Sequence, residues 1–269
     1  MAEKVVNIGG AAVGGEELAI IAGPCAVESE EVVFKAAETV AEIKDKFKLP
    51  VIFKSSYMKA NRLSGKSFST IGIGKALSLL QDVKGQFKLP ILTDVHTSEE
   101  IELAADIADC LQIPAFLCRQ TELVVAAAKT GLPINIKKGQ FLAPEDMKPI
   151  SDKVVSAGNV KVLLTERGTS FGYRDLVVDF RGIVIMKEFG FPVVFDCTHS
   201  VQKPGASGGS SGGDPRFIAP LARAAVAVGA DALFIETHPD PPNALSDKQC
   251  QIPTNRLAEL VESILEMKK

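Results

Sequence analysis

The chain has 269 residues, of which 46% are hydrophobic and 23% charged, and its formal net charge is −3 at pH 7. This is ordinary globular composition, and so small a negative charge provides no basic field for nucleic acid. No apolar run is long enough to cross a membrane and no signal peptide is recognisable, so we expect a cytoplasmic protein that binds neither nucleic acid nor membrane.

Short β-rich runs alternate with longer amphipathic stretches along the chain. The first residues, VVNIGGAAVGG, predict a β-hairpin ahead of eight strands. The predicted strands cover residues 18–25, 50–57, 90–96, 110–116, 133–140, 160–168, 192–200 and 232–239. Between them, residues 30–47 carry apolar positions at helical spacing, and Thr97 to Glu100 has the form of a capping box that begins another helix.

The alternation of strands and helices predicts parallel strands that are buried on both faces. Eight such units in about 250 residues match a (β/α)8 TIM barrel of the α/β class, which with its N-terminal β-hairpin would form one domain over residues 1–269. A doubly wound open sheet is the alternative, but no G-x-G-x-x-G follows the first strand. We interpret the glycine-rich residues 205–213 as a loop and, by composition, as a mobile lid.

Cations are over-represented where the predicted strands end, and in a barrel these ends converge on one face. The cations are Lys54, Lys59, Arg62, Lys137 and Arg167, with Arg119 just beyond the fourth strand. Two further charged residues, Lys138 and Glu166, also end predicted strands and are expected at the same face. So many cations would repel one another unless an anion lay between them, and phosphate and carboxylate are natural anions. For any single cation a surface salt bridge remains the alternative.

A second group of strand ends could ligate a metal ion. Cys25, His199 and Glu236 lie at the ends of strands one, seven and eight, which are neighbours in a closed barrel. Asp247 lies in the loop after the last strand. A thiolate, an imidazole and two carboxylates suit a divalent Zn, Fe or Mn ion. The spacing alone gives little support, because a lone Cys25 is more often a buried thiol. We expect His96 and His238 to be hydrogen-bonded near this site.

Eight motifs, in order and over nearly the whole chain, resemble the 3-deoxy-D-manno-octulosonate 8-phosphate synthase family. They are GPCAVES (23–29), FKSSYMKANR (53–62), QIPAFLCRQT (112–121), NIKKGQFLAP (135–144), LTERGTSFGY (164–173), LVVDFR (176–181), DCTHSVQKPG (196–205) and IETHPDP (235–241). The sister 3-deoxy-D-arabino-heptulosonate 7-phosphate synthases differ at KANR, where they carry a K-P-R-T type run. The resemblance implies a (β/α)8 barrel, usually a homotetramer, that condenses phosphoenolpyruvate with D-arabinose 5-phosphate for the inner core of lipopolysaccharide.

The resemblance also implies roles for individual residues. The phosphoenolpyruvate pocket would comprise Lys54, Ser56, Lys59, Gln112, Ala115, Lys137 and Arg167. Arabinose 5-phosphate would be held by Asn61, Arg62 and Asp94, with Arg119 reaching its phosphate from a neighbouring subunit. The residues implied in the chemistry are Lys54, Lys59, Asn61, Lys137 and His199.

Family members are of two kinds, which differ after the first strand. Members with Cys there need a divalent metal, whereas members with Asn need none, so Cys25 and the Ser246-Asp247 pair imply the metal-dependent kind. The chain departs from the family after KANR, where it has Leu63 and lacks an Arg before Gly72. We expect this departure to affect affinity for the second substrate more than the type of reaction.

Three alternatives remain open at this point. A Schiff-base aldolase would use Lys54 or Lys137 as its nucleophile. A non-catalytic phosphosugar-binding protein would bind phosphoenolpyruvate without turnover. The heptulosonate synthase would accept erythrose 4-phosphate in place of the pentose.

Overall fold

The structure is a computed structural model that describes residues 4–61, 65, 67–173, 175–204 and 212–268. Its strands, in chain order, are β1 (Val6–Ile8), β2 (Ala11–Val13), β3 (Ala19–Gly23), β4 (Val51–Lys54), β5 (Ile91–Asp94), β6 (Cys110–Ile113), β7 (Ile134–Lys137), β8 (Val162–Glu166), β9 (Thr169–Ser170), β10 (Leu176–Val177), β11 (Val193–Asp196), β12 (Gln202–Lys203), β13 (Gly212–Gly213), β14 (Ala232–His238) and β15 (Ile252–Pro253). Its α-helices are α1 (Glu30–Phe47), α2 (Ile73–Phe87), α3 (Ile101–Ala105), α4 (Thr121–Lys129), α5 (Met147–Ser156), α6 (Arg181–Lys187), α7 (Ile218–Ala227) and α8 (Leu257–Leu265).

Eight of these strands form a closed parallel barrel. Strands β3 to β8 pair in chain order, β8 pairs with β11, and β11 pairs with β14. Strand β14 then pairs with β3, so the sheet has no open edge between its first and last members. The predicted (β/α)8 barrel is therefore confirmed, and the doubly wound open sheet is wrong. The predicted N-terminal hairpin is also present, as the antiparallel pair β1 and β2.

The side chains of the barrel strands alternate between two apolar layers. Ile20 packs into the layer between the barrel and its helices, whereas the next residue, Ile21, packs into the barrel interior. Four buried residues of the hairpin, Val6, Ile8, Ala11 and Val13, join this interior cluster beside residues that begin the strands. The hairpin therefore closes the N-terminal end of the barrel, and the C-terminal end is left for polar side chains.

Helix α1 coincides with the predicted stretch, residues 30–47. Its first turn is capped by Ser29, whose hydroxyl accepts a hydrogen bond of 3.2 Å from the backbone N–H of Val32. The predicted capping box at Thr97 is wrong, because a 3-10 turn precedes α3 and the Thr97 side chain makes no cap hydrogen bond. Instead, the Glu100 carboxylate turns inward and accepts a hydrogen bond from the Tyr57 hydroxyl.

Among the described residues, no helix has both the length and the apolar character needed to cross a membrane. The glycine-rich stretch is described only in part, because residues 205–211 lie outside the described residues. Its described end, Gly212–Gly213, pairs with Gln202–Lys203 as a short antiparallel ribbon.

Candidate active site

A cavity of about 710 Å³ opens at the C-terminal ends of the barrel strands. Most of the residues predicted from the strand ends line it, namely Lys54, Lys59, Asn61, Asp94, Gln112, Ala115, Lys137, Arg167, His199 and Asp247. These residues are far apart in sequence, and they meet because parallel strands bring all their carboxyl ends to one face.

The remaining predicted residues lie elsewhere. Cys25, Ser56 and Glu236 are fully buried and contact the lining residues from below. Arg119 is exposed and does not line the cavity. Arg62 lies outside the described residues.

The four predicted metal ligands meet at the cavity, which His199 and Asp247 line, whereas Cys25 and Glu236 are fully buried. One ligand atom from each of Cys25, Glu236 and Asp247 lies within 4.8 Å of the others. The Nε2 atom of His199 lies 3.6 Å from Oε1 of Glu236 and 3.7 Å from Oδ2 of Asp247. Within the described part of the chain, Oε2 of Glu236 is buried without a hydrogen bond. A buried carboxylate oxygen with no partner, beside a thiol and an imidazole, fits a divalent cation.

Burial and neighbouring charges shift the pKa values of this cluster. Burial raises the pKa of the Cys25 thiol well above its ordinary value, and the nearby Glu236 carboxylate raises it further. Burial would also raise the pKa of Glu236, but the charges of His199 and Lys54 outweigh it and leave that pKa lowered. Without a cation the thiol is therefore protonated, and it donates to Oδ2 of Asp247 at 3.3 Å. A metal ion that binds here must displace this proton.

Local backbone geometry and one distant amide hold the cluster together. Strand β3 can approach β4 only because residue 23 is glycine, since a Cβ there would lie 2.1 Å from the Lys54 carbonyl oxygen. The side chain of Gln251 accepts a hydrogen bond from the Cys25 N–H at 3.0 Å and donates to the Ser246 carbonyl at 2.8 Å. It thereby ties the segment after the first barrel strand to the loop that carries Asp247.

Arg167 provides an unpaired cationic group at the cavity. Its Nη2 atom donates to Oε1 of Gln202 at 2.8 Å. Its Nη1 atom is buried and has no hydrogen bond within the part of the chain that the structure describes. A guanidinium that lines a cavity and has one nitrogen without a hydrogen-bond partner is suited to a phosphate or carboxylate ligand.

Two lysines line the cavity while donating to buried carboxylates. Lys54 Nζ lies 2.7 Å from Oε1 of Glu236. Lys137 Nζ donates to Asp196 and lies 3.7 Å from the centre of the Phe234 ring. Burial lowers the pKa of Lys137, although the Asp196 charge opposes this shift. Both amines are therefore held against a buried carboxylate in this structure.

Two residues expected to contact a sugar, Asp94 and Asn61, also line the cavity. Asn61 is exposed at the rim, and Lys59, which is expected to contact phosphoenolpyruvate, donates to the Ser56 hydroxyl at 3.0 Å. Oδ2 of Asp94 lies 3.1 Å from Nε2 of His96, as expected for a hydrogen-bonded histidine. Oδ1 of Asp94 is buried and has no hydrogen bond among the described residues.

Two strand-end charges that the sequence placed at the barrel mouth are not there. Lys138 and Glu166 do not line the cavity, and Lys138 Nζ lies 3.5 Å from Oε1 of Glu166. Each is adjacent in sequence to a lining residue, Lys137 or Arg167. Successive side chains point to opposite sides of a strand, so only one of each pair can face inward. His238 does not line the cavity either, but it is hydrogen-bonded as expected, because its Nδ1 atom accepts from the backbone N–H of Asp240 at 2.9 Å.

Four polar residues at the site were not assigned a role from the sequence: Gln140, Asp196, Gln202 and Gln251. Asp196 had a recognisable signal, because it ends a strand three residues before His199. Gln140 and Gln202 lie within the motifs NIKKGQFLAP and DCTHSVQKPG. Gln251 had no such signal, because its partner Cys25 lies 226 residues away in the sequence.

The chain is similar to proteins of known name over almost its full length. Residues 3–269 match the model of the DAHP synthetase I family. A Brucella anthropi protein named 2-dehydro-3-deoxyphosphooctonate aldolase is 53% identical over 247 residues, which are 92% of this chain and 89% of the relative. A Trichlorobacter lovleyi protein of the same name is 51% identical over 262 residues, which are 97% of this chain and 96% of the relative.

Proposed function

Because the chain belongs to the DAHP synthetase I family, we propose that it condenses phosphoenolpyruvate with D-arabinose 5-phosphate and water. The products are 3-deoxy-D-manno-octulosonate 8-phosphate, which serves the inner core of lipopolysaccharide, and inorganic phosphate. Relatives that are more than half identical to the chain carry the name 2-dehydro-3-deoxyphosphooctonate aldolase, another name for the synthase of this reaction. These names favour the eight-carbon product over the seven-carbon product of the sister synthase.

One structural observation carries the proposal: buried cations face the same cavity as a carboxylate–thiol cluster. Lys54, Lys137 and Arg167 are each no more than 5% exposed and line the cavity. Two phosphorylated substrates, one of which also has a carboxylate, supply the anions that such a set requires. A protein that bound a single phosphosugar without turnover would have no evident use for the cluster beneath.

The reaction sets the tasks of the site. Carbon 3 of phosphoenolpyruvate bonds to the aldehyde carbon of the pentose, and the bond between carbon 2 and the phosphate oxygen breaks. The water that adds to carbon 2 becomes the new carbonyl oxygen and gives up two protons, which balance the one gained by the former aldehyde oxygen and the one gained by the departing phosphate. The protein must therefore hold the two anionic substrates so that the reacting carbons face each other, and it must keep bulk water from the intermediate.

We assign phosphoenolpyruvate to the cationic side of the cavity. The free Nη1 edge of Arg167 binds its anionic group, and the other members of the pocket are Lys54, Ser56, Lys59, Gln112, Ala115 and Lys137. Lys137 Nζ is a suitable donor of the proton to the former aldehyde oxygen, because burial lowers its pKa and so favours the neutral amine that remains.

We assign arabinose 5-phosphate to the part of the cavity that Asp94 and Asn61 line, called the sugar side, where among the described residues Asp94 has a carboxylate oxygen without a hydrogen bond. We include Arg62, the next residue after Asn61 in the sequence, among the proposed ligands of this sugar. We further propose that the protein is a cytoplasmic homotetramer in which Arg119 reaches the sugar phosphate of a neighbouring subunit. The exposure of Arg119 and its absence from the lining of its own cavity support this arrangement.

We assign a divalent ion of Zn, Fe or Mn to Cys25, His199, Glu236 and Asp247. When bound, such an ion supplies Lewis acidity toward a carbonyl oxygen or a water molecule. The unpaired Oε2 of Glu236, among the described residues, supports this assignment. His199 is fixed for the task, because its Nδ1 atom lies 2.8 Å from Asp196 and its Nε2 atom faces the other ligands.

The experiment that tests the function measures phosphate release from phosphoenolpyruvate with arabinose 5-phosphate or with erythrose 4-phosphate. We expect turnover with the pentose, loss of turnover after chelation and recovery with a divalent ion. Turnover with the tetrose instead would assign the chain to the sister activity. Pentose turnover that survives complete removal of metal would retain the reaction and overturn the metal assignment.

A further inference from the structure

A buried array of four side chains lies behind the sugar side of the cavity: Tyr57, Asp94, His96 and Glu100. The Tyr57 hydroxyl donates to Oε2 of Glu100 at 2.7 Å, and the backbone N–H of His96 donates to the same oxygen at 3.3 Å. Of these four, only Asp94 and His96 line the cavity, so Tyr57 and Glu100 can affect a bound ligand only through those two residues.

The imidazole of His96 lies between two carboxylates. Its Nε2 atom is 3.1 Å from Oδ2 of Asp94, and its Nδ1 atom is 3.5 Å from Oε2 of Glu100, a charge contact without hydrogen-bond geometry. The Tyr57 ring packs edge-on against it, with ring centres 5.8 Å apart. Burial lowers the pKa of His96 and Lys59 opposes its charge, but Asp94 and Glu100 outweigh both and raise that pKa.

The two oxygens of Asp94 therefore have different surroundings. Oδ2 accepts from His96, whereas Oδ1 is buried without a hydrogen bond among the described residues. Because Asp94 lines the cavity, a bound hydroxyl group can supply the missing donor. If the carboxylate oxygen no longer points at the hydroxyl, both groups are left buried without a partner, and the affinity for the ligand falls steeply.

We propose that Glu100 and Tyr57 are positioning residues for the acceptor sugar: they hold His96 so that it fixes Oδ2 of Asp94 and leaves Oδ1 to accept a sugar hydroxyl. The chain of contacts runs from the Tyr57 hydroxyl through Glu100 and His96 to Asp94, each within 3.5 Å of the next. This inference rests on the proposed function, because it concerns the second substrate of that reaction.

The same contacts explain why Glu100 does not cap the helix that follows it. The side chain of Glu100 is 14% exposed and faces inward, whereas its neighbour Glu99 is exposed. The pair therefore offers a matched comparison, in which the same change of Glu to Gln is made one residue apart and only one of the two side chains contacts the array.

The test uses the variants Glu100→Gln and Tyr57→Phe, with Glu99→Gln as the control. Loss of a hydrogen bond to a charged group corresponds to a rise of about tenfold or more in the KM for arabinose 5-phosphate in Glu100→Gln. We expect a smaller rise, about threefold, in Tyr57→Phe, which removes a single hydroxyl. The KM for phosphoenolpyruvate should stay within about twofold in both variants, because the hydrogen bonds of the Glu100 and Tyr57 side chains go to each other and to His96 rather than to residues assigned to its pocket.

A second readout separates positioning from general stability. The protein has three histidines, so the His96 resonance can be assigned by its loss in His96→Gln and titrated by NMR. We expect its pKa to fall in Glu100→Gln and to be unchanged in Glu99→Gln. A fall in melting temperature with both KM values unchanged would overturn the inference and leave the array a structural element.

The failure of this inference can be told from failure of the proposed function. If the wild-type protein turns over the pentose and the variants have an unaltered KM for it, the inference alone is overturned. If the wild-type protein turns over neither sugar, both the proposed function and this inference are overturned. Equal rises in KM for both substrates would also contradict positioning of the sugar alone.

Discussion

Oδ2 of Asp196 lies 2.8 Å from Nδ1 of His199, on the side of the imidazole away from Glu236 and Asp247. The same carboxylate oxygen accepts from Lys137. One fully buried aspartate thus orients a proposed metal ligand and a proposed proton donor together. A carboxylate behind a ligating histidine fixes its tautomer and raises its basicity.

Asp196→Asn should therefore weaken metal binding without removing a ligand. We expect the affinity for a divalent ion to fall about 10- to 100-fold, the range seen for partners of metal-ligating histidines. Titration against a chelator of known affinity measures the change. Unaltered affinity would mean that His199 does not ligate the metal or needs no support from Asp196.

Cys25→Ala should lose bound metal and activity together, because it removes the thiolate from the four-ligand set. The matched control is Cys110→Ala, which removes another fully buried thiol but in the apolar interior at the N-terminal end of the barrel. Elemental analysis of both purified variants measures the metal content. Cys25→Ala that retains stoichiometric metal would show that Cys25 is only a packing residue.

Arg167→Ala should act mainly on phosphoenolpyruvate. Loss of a charge-assisted hydrogen bond costs about 1.5–3 kcal/mol, which corresponds to a rise of roughly 10- to 150-fold in KM if binding alone is affected. Arg256→Ala is the control, because the Arg256 side chain is exposed and pairs with the exposed Glu259. A larger effect on the sugar than on phosphoenolpyruvate would contradict our assignment of the two sides of the cavity.

The contribution of His96 to stability should depend on pH. Because the pKa of His96 is raised in the folded protein, its stabilising effect is fully present below the unfolded value of about 6.5 and is lost as pH rises through the folded value. The free energy of unfolding of the wild type, compared with that of His96→Gln, should therefore show its largest difference on the acid side. Urea titrations from pH 6 to 9 measure this difference, and one that grows with pH would contradict the charged state of His96.

Much of the site was predictable because strand ends meet in a closed parallel barrel. The convergence of Cys25, His199 and Glu236 needed only the order of the strands, since β3, β11 and β14 are neighbours. The direction of each side chain was not predictable, because successive side chains point to opposite faces and the sequence locates a strand end only to within a residue or two. Lys138 and Glu166 were therefore placed at the cavity, whereas they pair with each other outside it.

Long-range partners were beyond reach of the sequence for a different reason. The Thr97 to Glu100 pattern predicts a local cap, but Glu100 accepts from Tyr57, 43 residues earlier in the chain. Gln251 bonds to Cys25 across 226 residues and carries no local signal at all. Such contacts depend on where the finished barrel brings side chains, and local propensity does not encode that arrangement.

The most direct test of the condensation is to identify the products of phosphoenolpyruvate and arabinose 5-phosphate in ¹⁸O-labelled water by mass spectrometry. We expect an eight-carbon sugar acid phosphate and the consumption of one pentose for each phosphate released. The phosphate should carry no label, because the bond between carbon 2 and the bridging oxygen breaks and that oxygen leaves with the phosphate. Labelled phosphate with pyruvate and an unconsumed pentose would contradict it, because the protein would then hydrolyse phosphoenolpyruvate rather than join it to a sugar.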